Sequence, residues 1–182
     1  MTQADPRPVG DDPASVREVV VRRSARVLAV NDGRLALLRR TRPGMPVYYV
    51  TPGGKVEEDD ADVVAALHRE VREELGGVIT DPVQVFLLTE RIDDGPVDGV
   101  RRLRVQHIFA AELVSYDLSA RSGPEFTEPE MAVKGTYDLE WVPLVPERLG
   151  AIHLRAPELA EYVIRNCAAL AAEARRSATG RH

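Results

Sequence analysis

Residues 51–78 read TPGGKVEEDDADVVAALHREVREELGGV, and this stretch decides how the rest of the 182-residue chain is read. It opens with a glycine turn after Pro52, crosses an acidic loop and ends in a run with helical periodicity. Asp60 and Asp62 both suit a helix N-cap, and acids suit a helix N-terminus. No Pro or Gly interrupts 63–75, and Gly76-Gly77 supplies a stop. At about 100° per residue, Val63, Val64, Leu67, Val71 and Leu75 share one arc, the predicted buried face. Glu70 and Glu74 are spaced i, i+4, with Glu73 at i+3, so three carboxylates share a neighbouring face. Glu74 falls at the edge of the apolar arc, between Val63 and Leu67. An unpaired carboxylate there is costly to desolvate, and like charges one turn apart repel. A hard cation such as Mg²⁺ or Mn²⁺, bound by oxygen ligands, offsets both costs. Arg69 can hold spare carboxylate oxygens by a forked pair. Gly53 and Gly54 let a backbone carbonyl approach a metal or a phosphate closely. The competing reading, a solvated acidic face, is the commoner use of a Glu-rich helix, and the glycine turn weighs against it.

With these residues in place, the stretch resembles the box of the Nudix hydrolases: Gly, five residues, Glu, seven residues, then Arg-Glu-(apolar)-x-Glu-Glu-x-Gly-(apolar). Gly54, Arg69, Glu70, Val71, Glu73, Glu74 and Gly76 match it. There are two departures. Asp60 replaces the middle Glu, with one extra residue before Arg69. Gly77 stands where an apolar residue is usual, a role that passes to Val78. The first departure bears on the contact that braces the loop and does not touch the metal glutamates.

The resemblance implies an α/β fold, a Nudix-type α/β/α sandwich with a mixed sheet between helices. It implies that Glu70, Glu73 and Glu74, with the Gly54 carbonyl, hold Mg²⁺ or Mn²⁺, which would neutralise diphosphate charge and activate a water. Glu73, Glu74 and Arg69 then belong to the catalytic set, with Arg69 orienting the carboxylates. Gly53 and an arginine at the end of the second strand, Arg39 or Arg40, would contact substrate phosphate. A general base outside the box is expected on the loop carrying Glu125, Glu128 and Glu130, and Glu128 is the choice. The implied substrate is a nucleoside-diphosphate-linked compound such as ADP-ribose or another nucleotide sugar. The alternatives are a (d)NTP pyrophosphohydrolase of MutT type and a non-catalytic, ligand-binding regulator. The full set of three glutamates argues against the regulator. Many members of the family are dimers, so a homodimer is an open expectation.

Composition sets the frame. Hydrophobic residues make up 44% and charged residues 29%, ordinary for a globular domain. The net charge of −5 offers no basic footprint for stable nucleic-acid binding. Cations near an anionic substrate must then be metals or local arginines, and only Lys55 and Lys134 are lysines. The bulk arginine bias reads as genome composition, although arginine also suits forked phosphate contacts. One cysteine, Cys167, allows no intrachain disulfide and is expected in core or interface packing. No apolar run approaches a membrane span and no signal-like core opens the chain, so a cytoplasmic protein without membrane contact is expected.

Outward from the box, 1–15 is rich in Pro, Asp and Gly and predicts a disordered tail. A single domain over 16–175 follows, then a flexible tail over 176–182. Residues 17–30 alternate and are rich in valine, a strand; Asn31-Asp32-Gly33 is a turn; 35–38 returns and ends in Arg39-Arg40. A loop over 41–46 and a short strand over 47–50 lead into the box. Beyond it, 83–91 reads as strand with Glu90 a strand-end charge, and 93–99 as loop. Residues 101–113 form a strand holding His107, expected partly buried and hydrogen-bonded. Residues 115–135 form a long irregular loop of the kind that often carries function. Residues 137–142 make a strand with Trp141 in the core, and 156–175 the last helix, begun at Ala156-Pro157.

Overall fold

The computed structural model describes residues 18–92, 100–123 and 126–179. The expected tail over 1–15, the loop over 93–99, Glu125 and residues 180–182 lie outside the described residues.

Two long strands form the centre: β1 (Glu18–Asn31) and β7 (Val100–Ser115). They run parallel, from Glu18 opposite Val100 to Val30 opposite Glu112. The other pairings are antiparallel. β2 (Arg34–Thr41) returns against β1 through the Asp32-Gly33 turn, and β3 (Tyr48–Val50) lies outside it. β4 (Gly53–Lys55) pairs with the middle of β1, and β5 (Val78–Ile79) and β6 (Val83–Arg91) with β7. β8 (Thr136–Pro143) pairs with β2. The result is the expected mixed sheet, of eight strands.

Helices cover both faces, which is why Val27 to Val30 of β1 and Ile108 to Ala111 of β7 are apolar and buried on both sides. Helix α1 (Val63–Leu75) lies on one face, packed on Val27, Ala29, Ala36, Leu38, Phe109 and Ala111 through Leu67, Val71 and Leu75. Each of those three side chains contributes about 1.5–3 kcal/mol of burial. Helices α4 (Pro157–Arg165) and α5 (Cys167–Thr179) cover the other face, on Leu28, Val30, Leu35, Leu37 and Ile108. Between β7 and β8 stands a short α2 (Glu128–Lys134), and after β8 a single turn, α3 (Pro146–Leu149).

Several expectations change. The last helix is two helices, because the Asn166 side chain donates to Tyr162 O at 2.7 Å and competes with the ladder. It continues to Thr179, since no Gly or Pro interrupts 167–179. The 115–135 loop contains a 3-10 turn at Leu118–Ala120 as well as α2. Val78 does not take the apolar role expected of it: it is 55% exposed and Ile79 is buried instead. Gly77 is backed against Leu113, Leu75 and Val71, where a side chain would crowd all three. Trp141 is only partly buried, packed at the edge of the α1-side core near Tyr116. Cys167 is core as expected, its thiol pushed up by burial.

Candidate functional site

Helix α1 starts where the sequence placed it. The Asp62 carboxylate accepts from Ala65 N at 2.7 Å, so Asp62, not Asp60, is the N-cap. Asp60 is thereby released for another contact. Its two oxygens take Arg69 Nε and Nη2, each at 3.0 Å, and it also accepts from Glu57 N at 2.8 Å. The loop is one residue longer and the carboxylate one methylene shorter than in the family box, and the brace is still made. The Arg69 hydrogen bonds hold the Asp60 carboxyl below the usual carboxylate range, and Asp60 in turn raises the Arg69 guanidinium.

Arg69 does more than brace the loop. Its Nη1 lies 2.9 Å from Glu70 Oε1 and 3.0 Å from Glu73 Oε2, and its Nη2 donates to Lys55 O. One guanidinium thus fixes one oxygen on each of two glutamates and ties them to the strand after the glycine turn. Glu74 is the buried member, 7% exposed, as its place on the apolar edge implies. It accepts from Gly53 N at 2.6 Å, a charge-assisted bond of the strong kind.

The two glycines do different jobs. Gly53 has φ +125°, and a Cβ there would stand 2.2 Å from Ala25 O and 2.7 Å from Arg26 Cα. At Gly54 a Cβ would meet only the Glu70 carboxylate, at 2.5 Å. The missing side chain at 54 is the space the Glu70 carboxylate fills. Two glutamates are therefore pressed against a bare backbone turn, an all-oxygen donor set suited to a hard cation. Among the described residues no three His, Cys, Asp or Glu side chains are already gathered as a cation cage; Arg69 stands among the carboxylates instead.

The strand-end arginines separate onto opposite faces. Arg39 faces the α4 side, half-buried, near Glu140 at 3.9 Å and Thr41 Oγ1 at 3.1 Å. Arg40 faces the α1 side and is 5% exposed. Its guanidinium lies 3.4 Å from the Tyr137 ring centroid and donates through Nη2 to Lys134 O at 2.9 Å. Arg40 Nε and Nη1 are buried and meet no acceptor among the described residues, an expensive state for a cation's donors. Glu128 opens α2 and is exposed. The segment before α2 is tied to the end of α1, with Ser122 N on Glu73 O at 3.1 Å and Asp117 N on Leu75 O at 3.1 Å. His107 is partly buried and bonds Gln84 through Nδ1, as expected.

Sequence reading passed over Arg26 and Gln106. Arg26 Nη1 donates to Thr51 O at 2.8 Å and Gly53 O at 3.0 Å, and Nε to Gln106 Oε1 at 3.1 Å. Gln106 Nε2 donates to Glu90 Oε2 at 2.6 Å, so Glu90 is more than a strand-end charge. The available signal was a charged residue inside the apolar run ARVLAV and an amide inside RVQHIF.

These positions can be set beside known proteins. The family model described as NUDIX domain matches residues 20–153. The chain belongs to the Nudix family. It is a hydrolase of the class that cuts pyrophosphate bonds in small nucleotide substrates. A Nudix hydrolase from Nitrosomonas europaea superposes with a TM-score of 0.55 at 18% identity, covering 81% of this chain and 88% of that one. A MutT Nudix hydrolase from Burkholderia pseudomallei superposes with a TM-score of 0.51 at 23% identity, over 79% of this chain and 98% of that one. At such identities the likeness establishes the fold. No curated protein gives a significant match to the sequence. No helix among the described residues is long and apolar enough to cross a membrane.

The Asp60 brace has a measurable signature in this Nudix chain. Its carboxyl is depressed from 3.8 in the fold, so the stability it contributes is present above about pH 4 and is lost as pH falls through the lower, folded value. Asp60→Asn is expected to lower stability by about 1–2 kcal/mol at pH 7, the size of a charge-assisted bond that is partly solvated. The difference from the parent should shrink on acidification below pH 4. Urea unfolding at pH 7 and pH 3 checks this; an equal loss at both would remove the charge from the account.

Proposed function

We propose that the protein hydrolyses the diphosphate bond of a nucleoside-diphosphate-linked substrate such as ADP-ribose or another nucleotide sugar, using Mg²⁺ or Mn²⁺. The observation that carries this reading is the pairing of buried Glu74 with Gly53 N and of the Glu70 carboxylate with the bare face of Gly54. That cradle gives acidic oxygens and a backbone turn in one place, the kind of donor set that would hold a hard divalent cation.

Glu70, Glu73, Glu74 and the Gly54 carbonyl would hold the cation, which when bound neutralises charge on the diphosphate oxygens and makes a water more acidic. Arg69 keeps the Glu70 and Glu73 carboxylates at fixed angles through Nη1. Gly53 would meet the substrate through its backbone; its missing side chain is what lets the turn close against β1, where a Cβ would stand 2.2 Å from Ala25 O. Arg40 is the better of the two phosphate contacts, because it stands on the face of the sheet that carries α1 and the box; Arg39 stands on the other face with Glu140 beside it. Glu128, the first residue of α2, would take the proton from the attacking water.

The test is a product screen. The protein is incubated with Mg²⁺ or Mn²⁺ and a panel of nucleotide sugars, NAD-type dinucleotides, dinucleoside polyphosphates and (d)NTPs. Release of a nucleoside monophosphate from the nucleotide sugars, stopped by EDTA and restored by excess Mg²⁺, is expected. Cleavage confined to (d)NTPs would replace the substrate with the MutT-type class. Absence of cleavage throughout, with tight binding of one panel member, would overturn hydrolysis in favour of a ligand-binding regulator.

A further inference from the structure

We propose that Arg26 is a positioning residue for the diphosphate-cutting site, acting by fixing the backbone of Gly53. The inference rests on the site proposed above, and it concerns a residue outside the box.

Both backbone polar groups of Gly53 are gripped by charged side chains. Its N–H donates to Glu74 Oε2 at 2.6 Å, and its carbonyl accepts from Arg26 Nη1 at 3.0 Å. The same Nη1 reaches Thr51 O at 2.8 Å, two residues upstream. Arg26 therefore spans the entry to the turn. Gly53 needs such restraint more than any other residue there, because glycine at φ +125° has no side chain to confine it. Gly54, whose carbonyl is assigned to the cation, is the next residue, so a rotation at Gly53 moves that carbonyl directly.

Arg26 is itself held. Its Nε meets Gln106 Oε1 on the neighbouring central strand, and Gln106 is fixed from the far side by Glu90. Gln106 is buried, and its amide can satisfy both neighbours only in this orientation. The chain of contacts runs Glu90, Gln106, Arg26, Gly53, Glu74, across four strands and into α1. Burial, Arg155 and Arg104 work against the Arg26 cation, while Glu74 and Glu70 support it. Only a guanidinium can serve two carbonyls and an amide at once; a lysine offers one compact charge with no fixed fork.

A half-buried arginine that merely stitches strands together would produce the same hydrogen bonds, so the test needs a readout that stitching does not move. Mn²⁺ binding to the parent protein, Arg26→Met, Arg26→Lys and Gln106→Leu is read by electron paramagnetic resonance without substrate, together with kcat, KM and Tm. Arg26→Met is expected to weaken Mn²⁺ binding about 10–100-fold and to lower kcat by a similar factor with KM little changed, the size found for residues that orient metal ligands. Arg26→Lys should recover little of either. Gln106→Leu, which leaves Arg26 in place, should show the same pattern at about a third of the logarithmic effect, and it carries the test if Arg26→Met does not fold. Mn²⁺ affinity and kcat within about twofold of the parent in both folded variants would overturn the role of Arg26. Because Mn²⁺ is read alone, an inactive parent that loses Mn²⁺ on Arg26→Met would sink the hydrolytic reading and keep this one. An active parent indifferent to Arg26 would do the reverse.

Discussion

Glu74→Gln is expected to lower kcat by about 10³-fold while the protein stays folded. The figure is the several kcal/mol of charge stabilisation that a bound metal supplies, at about 1.4 kcal/mol per decade of rate. Folding should survive for a geometric reason. The glutamine carbonyl can still accept from Gly53 N, now 2.6 Å from the carboxylate, and a buried charge at 7% exposure has been removed rather than created. A Tm within a few degrees of the parent, with turnover gone, separates loss of the cation site from loss of structure. A variant within tenfold of the parent kcat would remove Glu74 from the site.

The neighbouring glycines should fail in opposite ways. Gly53→Ala places a methyl group 2.2 Å from Ala25 O in a conformation that L side chains rarely adopt. Backbone strain and overpacking together cost about 3–5 kcal/mol, which in a domain of this size lowers Tm by roughly 10 °C. Gly54→Ala meets only the end of the Glu70 side chain, which can swing aside. Its Tm should stay within a few degrees, and its loss should appear in activity and metal dependence, about 10–100-fold as for a displaced ligand. Thermal melts and kcat on both variants check the pair. A stable, active Gly53→Ala protein would contradict the turn described above.

How far the sequence reached follows from range. Helix α1 was legible to the residue because its signals are local: an Asp N-cap, an apolar arc, a Gly stop. The burial of Glu74 was legible too, since the wheel put it on the apolar edge. The mixed sheet and its two helical layers followed from the family resemblance. What stayed hidden depends on contacts between distant segments. The choice between Arg39 and Arg40 turns on which face each side chain takes after pairing with β3 and β8, and on the roof that α2 puts over one of them. The Asp60 brace turns on how a longer loop folds back to Arg69. Arg26 and Gln106 looked like interruptions in two apolar runs, and only the parallel pairing of β1 with β7 brings them together. The break at Asn166 was local and still missed, because an asparagine inside a helical pattern breaks it only when its side chain turns back on the ladder.

That parallel pairing also sets the order in which the molecule can assemble. Arg26 and Gln106 are 80 residues apart in the chain, and the long central strand β1 meets its principal partner only when residues 100–115 have left the ribosome. The whole box is synthesised well before then. It emerges with β1 and β4 able to pair, but without Gln106 to steady Arg26 and with part of the floor under α1, Phe109, Ala111 and Leu113, still to come. Closing a sheet across so long an intervening stretch is slow, because the chain gives up loop entropy before the contacts reward it. A fragment ending before residue 100 would therefore carry every residue of the recognisable motif and only part of the frame that turns it into a site.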